Sequence, residues 1–203
     1  MQTIDFKKRL KQLYSAPAKA PVIVEVPRMN FMMIDGTGDP NTSEEFQRAV
    51  EALFSTSYTL KFFIKKGPLA IDYGVLPLEG VWWADDKSAF AAGDRASWKW
   101  TLMIMQPEYV TPELFEQALE QVRQKKDLPA AGQLRLEAFH EGLSAQLLHV
   151  GPYSAEEPTI QRLHRFIEDN GYRRRDKHRE IYLSDLRRAA PEKLKTIIRQ
   201  PIE

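Results

Sequence analysis

A local pattern that occurs twice does most to limit how this chain can fold. Met32-Met33-Ile34-Asp35-Gly36-Thr37-Gly38 ends an apolar, β-branched run in a turn. Thr42-Ser43-Glu44-Glu45 follows as a capping box, ahead of Phe46, Ala49, Val50, Leu53 and Phe54 at helical spacing. In the second half, Leu147-Leu148-His149-Val150-Gly151-Pro152-Tyr153 takes the place of the turn and Ser154-Ala155-Glu156-Glu157 that of the box. Ile160, Leu163, Phe166 and Ile167 form the matching stripe, and each copy continues with two strand-like segments. Two such units can join their sheets edge to edge with both helices on one face, leaving the other face to curve around a ligand. The expectation is an α+β fold of duplicated β-α-β-β modules, an antiparallel sheet with helices on one face and a ligand cleft on the other.

The rest of the chain is organised around these units. Residues 1–21 mix Lys7, Lys8, Lys11 and Lys19 with Ala and Pro, and read as an N-terminal arm or short helix followed by an extended linker. One domain then covers 22–203, with pseudo-symmetric halves at about 22–107 and 134–202 joined by a helix over 111–126. That helix opens at Thr111-Pro112-Glu113, with proline at its tolerated first position, and carries Phe115, Ala118, Leu119 and Val122. Val22 to Ile34 reads as one strand broken or bulged near Pro27. Further strands are expected at Thr59 to Ile64, Asp72 to Trp83 and Ser97 to Gln106, with the polar stretch Ala84 to Ala96 as a hairpin loop or lid. A strand pair from Leu134 to Val150 turns at Glu141-Gly142, the third helix stops at Asn170-Gly171, and strands near His178 to Ser184 and Leu194 to Gln200 finish the chain.

Composition removes several function classes. The 203 residues carry 29 Lys+Arg against 28 Asp+Glu, a net charge of +1, which argues against a protein that coats nucleic acid. There is no cysteine, so disulfides, thiolate nucleophiles and thiolate-ligated metals are impossible. No stretch approaches the ~20 apolar residues that span a bilayer, and Met1-Gln2-Thr3-Ile4-Asp5-Phe6 lacks the apolar core of a secretory signal. A soluble cytoplasmic protein, without membrane or direct nucleic-acid contact, is expected.

Two segments concentrate the chemistry. Trp82-Trp83 and Trp98-Lys99-Trp100, with Tyr73, Met103 and Met105 nearby, suit either core packing or stacking against a flat apolar ligand. Alternation sends Trp82 and Trp83 to opposite faces and Trp98 and Trp100 to the same one. In Arg179-Glu180-Ile181-Tyr182-Leu183, alternation places Ile181 and Leu183 against the helices and turns Glu180 and Tyr182 toward the open face of the sheet. There a carboxylate among aromatics would gain basicity by desolvation; the alternative is a surface salt bridge from Glu180 to a neighbouring arginine. Among His140, His149, His164 and His178 no two have metal-ligand spacing, so no metal or cofactor is expected. His164 reads as a boundary residue of its helix and His149 as a strand-end residue that borders a pocket. Asp35-Gly36-Thr37-Gly38 has the look of an aspartic-protease signature and is better explained as a turn, while the basic run from Arg173 to Arg179 reads as solvated surface.

The duplicated unit, Leu148-His149-Val150-Gly151-Pro152-Tyr153 and Arg179-Glu180-Ile181-Tyr182-Leu183 together resemble the GyrI-like small-molecule-binding superfamily over roughly Val22 to Ile202. Lys61-Phe62-Phe63-Ile64-Lys65-Lys66, Leu78-Glu79-Gly80-Val81-Trp82-Trp83 and Trp98 to Pro107 look like its stand-alone branch, which includes cyclopropanoid cyclopropyl hydrolases. The resemblance implies SHS2-like modules and an aromatic pocket for planar or cationic small molecules. It also implies a detoxifying hydrolase that opens the cyclopropane of spirocyclopropyl DNA-alkylating compounds by adding water, or a binder that sequesters drugs or acts like a gyrase inhibitor. DNA gyrase as a partner has no support in the sequence itself. On this reading Glu180, Tyr182 and Tyr73 are the catalytic candidates, and Trp82, Trp83, Trp100, Met103, His149 and Tyr153 the ligand-binding ones.

Overall fold

The computed structural model describes residues 2–85, 95–125, 127–185 and 188–203. In chain order these form β1 (Gln2–Ile4), the one-turn helices α1 (Phe6–Arg9) and α2 (Lys11–Tyr14), β2 (Val22–Val26), β3 (Met29–Thr37), α3 (Glu44–Lys66), β4 (Ile71–Tyr73) and β5 (Leu78–Trp83). There follow β6 (Lys99–Gln106), α4 (Pro112–Lys125), β7 (Arg135–Phe139), β8 (Gly142–Val150), α5 (Glu157–Asp169), β9 (His178–Tyr182) and β10 (Lys195–Pro201). The chain divides into two compact units. The first holds 1–9, 29–76 and 82–139; the second holds 10–28, 77–81 and 140–203. These are not the halves suggested by the repeat, because β2 and the start of β5 belong to the second unit and β7 belongs to the first.

The duplication is nevertheless plain in the topology. β3-α3-β5-β6 has the strand order β5-β6-β3, and β8-α5-β9-β10 has the same order, β9-β10-β8. Strands β2 and β3 are separate, the break falling at Pro27-Arg28, with β2 paired to β8 and β3 to β6 and β7, all antiparallel. β7 and β8 follow each other in sequence without forming the expected hairpin: β7 pairs with β3, and β8 with β2 and β10. The expected strand over Asp72 to Trp83 is two, β4 and β5, and β4 pairs in parallel with β1.

In the first unit α3 runs through the segment expected to be a strand at Thr59 to Ile64. Leu53, Leu60 and Ile64 continue one buried helical face, and the Thr59 hydroxyl donates to the Ser55 carbonyl, as threonine does inside a helix. Lys61 and Lys65, one turn apart, both reach Asp72, at 3.4 and 2.6 Å. The helix is capped one residue later than expected, by Ser43, whose hydroxyl accepts from the Phe46 amide at 3.2 Å. α4 starts with Pro112 at its first position and the Thr111 hydroxyl accepting from the Leu114 amide. Lys126 and most of the expected loop from Ala84 to Ala96 lie outside the described residues.

In the second unit α5 covers β8 and β10 through Leu163 and Ile167, packed with Ala145, Leu147, Ile198 and Ile202. Its start is not a capping box. Tyr153–Ala155 form a 3-10 turn, and Glu156 is the cap residue without a side-chain capping bond. Its end matches the sequence reading, with Asn170 as cap and Gly171 at φ 79°. The N-terminal residues are more than an arm, since α2 buries Leu13 and Tyr14 within this unit.

Candidate functional site

Register decides where Glu180 points. Ile198 of β10 lies opposite Leu147 on one side and Glu180 on the other, and directly paired residues share a face of the sheet. Ile198 and Leu147 pack against α5, so Glu180 and Tyr182 face the helix side. Arg179 and Ile181 face the opposite side. This reverses the sequence expectation, which treated isoleucine as the helix-facing residue; here the inward arginine is neutralised, so β9 tolerates it on the non-helix face.

Glu180 is held by both of its strand neighbours on that face. The Tyr182 hydroxyl donates to Oε2 at 2.7 Å, and His178 Nε2 donates to Oε1 at 3.1 Å. The Glu180 side chain stays 15% exposed. Among the described residues, no arginine takes the salt-bridge role that the sequence left open. Tyr153 meets Tyr182 edge to face, with ring centroids 5.6 Å apart. Burial, helped by Glu180 and Glu156, pushes the Tyr182 phenol well above its ordinary value, and burial followed by Glu156 and Glu180 does the same to Tyr153. Both phenols therefore stay protonated, and the group is two carboxylates beside two phenol rings.

Two further histidines lie in the same unit. His149, 5% exposed, shares its ring between the Thr159 hydroxyl at Nδ1 (3.0 Å) and the Pro152 carbonyl at Nε2 (3.2 Å). The carbonyl can only accept, so Nε2 carries the proton and Nδ1 accepts from Thr159. His149 thus ties the loop bearing Tyr153 to α5. His164 on α5 accepts from Arg174 at Nδ1 (2.9 Å), and its pKa falls to about 4 through burial first and then the nearby Arg174 and His178.

The opposite face of the same unit holds a buried ionic cluster that the sequence reading missed. Glu79 accepts from the Tyr14 hydroxyl at 2.7 Å and from Arg179 at 3.0 Å. Glu141 lies between Arg179 (3.2 Å) and Arg199 (3.3 Å), and all four charged side chains are 1% exposed. Arg199 also donates to Gln146 and to the Leu13 carbonyl, and Gln146 donates to the Gln12 and Ser15 carbonyls, so α2 is clamped by its own backbone. Arg179, read as part of a solvated basic run, is buried. Two arginines and two glutamates cancel, which is what allows burial. Alternation across Arg179, Ile181, Ile197 and Arg199 was the available signal.

The tryptophan-rich candidates lie in the first unit. Trp82 and Trp100, 5% and 0% exposed, both pack on Phe46 of α3, at 6.0 and 5.4 Å. Their ring faces belong to the core, which corrects the expectation that they stack on a ligand. Trp100 also covers Gly36, its cross-strand partner, where a Cβ would overlap the indole. Trp98 precedes β6 and meets Trp82 edge to face. Trp83 is the partly exposed member of the pair, facing away from Trp82. Met103 is 1% exposed and lies opposite Met33. Tyr73, 3% exposed, sits in an aromatic cluster with Phe6 and Tyr109, and burial raises its pKa. Among the described residues no group of three or more His, Asp or Glu could hold a metal ion, and no helix is long and apolar enough to cross a membrane.

Comparison with known proteins matches residues 19–203 to the GyrI-like small molecule binding domain. Among solved structures, an uncharacterized conserved protein from Listeria innocua is 45% identical, covering 98% of this chain and 100% of its own, with a TM-score of 0.91. A hydrolase from Listeria innocua is 44% identical over 100% of both chains, with a TM-score of 0.89. The EcmrR C-terminal domain, 13% identical over 90% of this chain and 96% of its own, shares the fold at a TM-score of 0.56. Among curated proteins, none matches the sequence.

Proposed function

Because this chain belongs to the GyrI-like small-molecule-binding family, we propose that it is a hydrolase of planar spirocyclopropyl compounds, opening the cyclopropane by addition of water. The observation that carries the reading is the anchored, partly exposed carboxylate of Glu180 beside Tyr153 and Tyr182. Full-length similarity to a hydrolase from Listeria innocua supports the enzyme class.

In the proposed reaction a water oxygen attacks the cyclopropane CH2. The strained C–C bond breaks, its electron pair flows through the conjugated dienone to the carbonyl oxygen, and the ring becomes a phenolate. Glu180 takes the proton from the attacking water and then releases it to solvent, while the phenolate takes a proton from solvent to give a phenol, so one water has been added in total and the carboxylate is restored. Tyr182 and His178 are positioning residues in this scheme, since their donors are spent on holding Glu180 in one rotamer. Tyr153 and the Tyr182 ring provide the aromatic wall. Trp83 remains a stacking candidate, whereas Trp82 and Trp100 are withdrawn because Phe46 already covers them.

A second reading is supported by Glu156, 5% exposed, whose charge adds to that of Glu180 on both tyrosines. Two carboxylates beside two phenol rings suit an organic cation held without turnover. Incubating the protein with a spirocyclopropyl alkylator and measuring the mass of the recovered compound separates the two. Gain of one water supports the hydrolase; unchanged compound released from a tight complex supports the binder.

A further inference from the structure

α3 carries a row on its solvent side that reads alike from both ends. The buried residues Ala49, Leu53, Thr56, Leu60 and Ile64 take the side turned to the core. The opposite side presents Glu51, Phe54, Tyr58, Phe62 and Lys65, which at ~100° per residue all fall within about 40° of Tyr58. Tyr58 and Phe62 are each 48% exposed, and Phe54 stacks on Tyr58 at 6.5 Å. A row of aromatics left partly exposed along one helix is unusual for a surface that faces only solvent.

The spacing is symmetric about Tyr58: phenylalanine four residues before and after, a glutamate seven before and a lysine seven after. Laid antiparallel against a second copy, the row pairs Tyr58 with its equivalent, Phe54 with Phe62, and Glu51 with Lys65, each of the last two contacts made twice. Aromatics then meet aromatics and, within this row, each charge meets its opposite, the self-complementarity of an isologous interface, with Lys61 and Lys66 lying over the Phe62 ring of their own chain at 6.0 and 5.9 Å. A parallel alignment would set Glu51 on Glu51 and Lys65 on Lys65. Lys65 holds Asp72 at 2.6 Å and keeps a side-chain exposure of 33%.

We propose that this row is the seam of an antiparallel homodimer whose two-fold axis passes through Tyr58.

The absence of cysteine makes the register directly testable. Under mild oxidation Tyr58→Cys should give a covalent dimer. Phe62→Cys alone should not, since its two copies would lie ~12 Å apart along the helix axes. Phe54→Cys mixed with Phe62→Cys should cross-link to each other. In sedimentation equilibrium, Glu51→Lys should raise the dimer dissociation constant roughly tenfold by turning two attractions into repulsions, and adding Lys65→Glu protein should restore association as a heterodimer. A wild-type chain that stays monomeric at millimolar concentration overturns the proposal and leaves the row to a different protein. Equal cross-linking at 58 and 62 overturns the register.

Discussion

Tyr14→Phe isolates the bond that fastens α2 to the second unit. The ring, 7% exposed, keeps its packing in the variant, so only the hydroxyl is lost. That hydroxyl donates at 2.7 Å to Glu79, a carboxylate 1% exposed, whose other oxygen takes Arg179 at 3.0 Å. A neutral hydrogen bond contributes about 1 kcal/mol and one to a buried charge about twice that, so the loss should be about 2 kcal/mol. With a urea dependence of about 2 kcal/mol per molar, the unfolding midpoint should fall by about 1 M. The penalty should also depend on pH in a definite direction. Burial raises Glu79 above 4.5 against the pull of Arg179 and Arg199, so its carboxylate costs stability as pH rises from 4.5 through the folded value, and Tyr14 reduces that cost. The deficit of the variant should therefore shrink on acidification as Glu79 is protonated. A midpoint unchanged at neutral pH, with the fold intact by circular dichroism, would refute the clamp and return residues 10–21 to the status of a loose arm.

Gly36→Ala should destabilise the first unit by about 2 to 3 kcal/mol, because the added methyl overlaps the Trp100 ring held against Phe46; thermal unfolding and near-ultraviolet circular dichroism check this, and a neutral substitution would show that the indole has room to move. His164, held near 4, refuses a proton that the unfolded chain accepts below about 6.5. Stability should thus fall between pH 6.5 and 4 by about 1 to 2 kcal/mol from this residue, after discounting its exposed edge. Urea midpoints across that range should fall less for His164→Gln than for wild type, and parallel profiles would contradict the assignment.

Much of the fold was readable because duplication leaves two copies of one signal. The apolar stripes of α3 and α5, the Asn170-Gly171 stop and the break at Pro27 all lie where periodicity and turn chemistry place them. Thr59 to Ile64 misled because β-branched and aromatic residues also satisfy a strand; only Leu53, Leu60 and Ile64 on one helical face, and the lysines converging on Asp72, settle it. Ser154 failed as a cap because the segment from Tyr153 to Ala155 turns as a 3-10 helix before α5 begins. The site was legible in part. Glu180, Tyr182 and Tyr153 do come together, yet on the face opposite to the one expected, because the choice of face rested on assigning isoleucine to the helix side. Nothing local in Arg179 announces that Glu79 and Glu141, distant in sequence, neutralise it. Burial of Trp82 and Trp100 depends likewise on Phe46, contributed by another element.

The central claim is that Glu180 activates the water that opens the cyclopropane, and Glu180→Gln tests it with minimal change of shape. Steady-state turnover of a spirocyclopropyl substrate should fall by about 100- to 10,000-fold, the range for a positioned acid–base group, while substrate affinity and the unfolding midpoint change little. Turnover at the wild-type rate would contradict the claim and leave Glu180 a group that binds or supports the site.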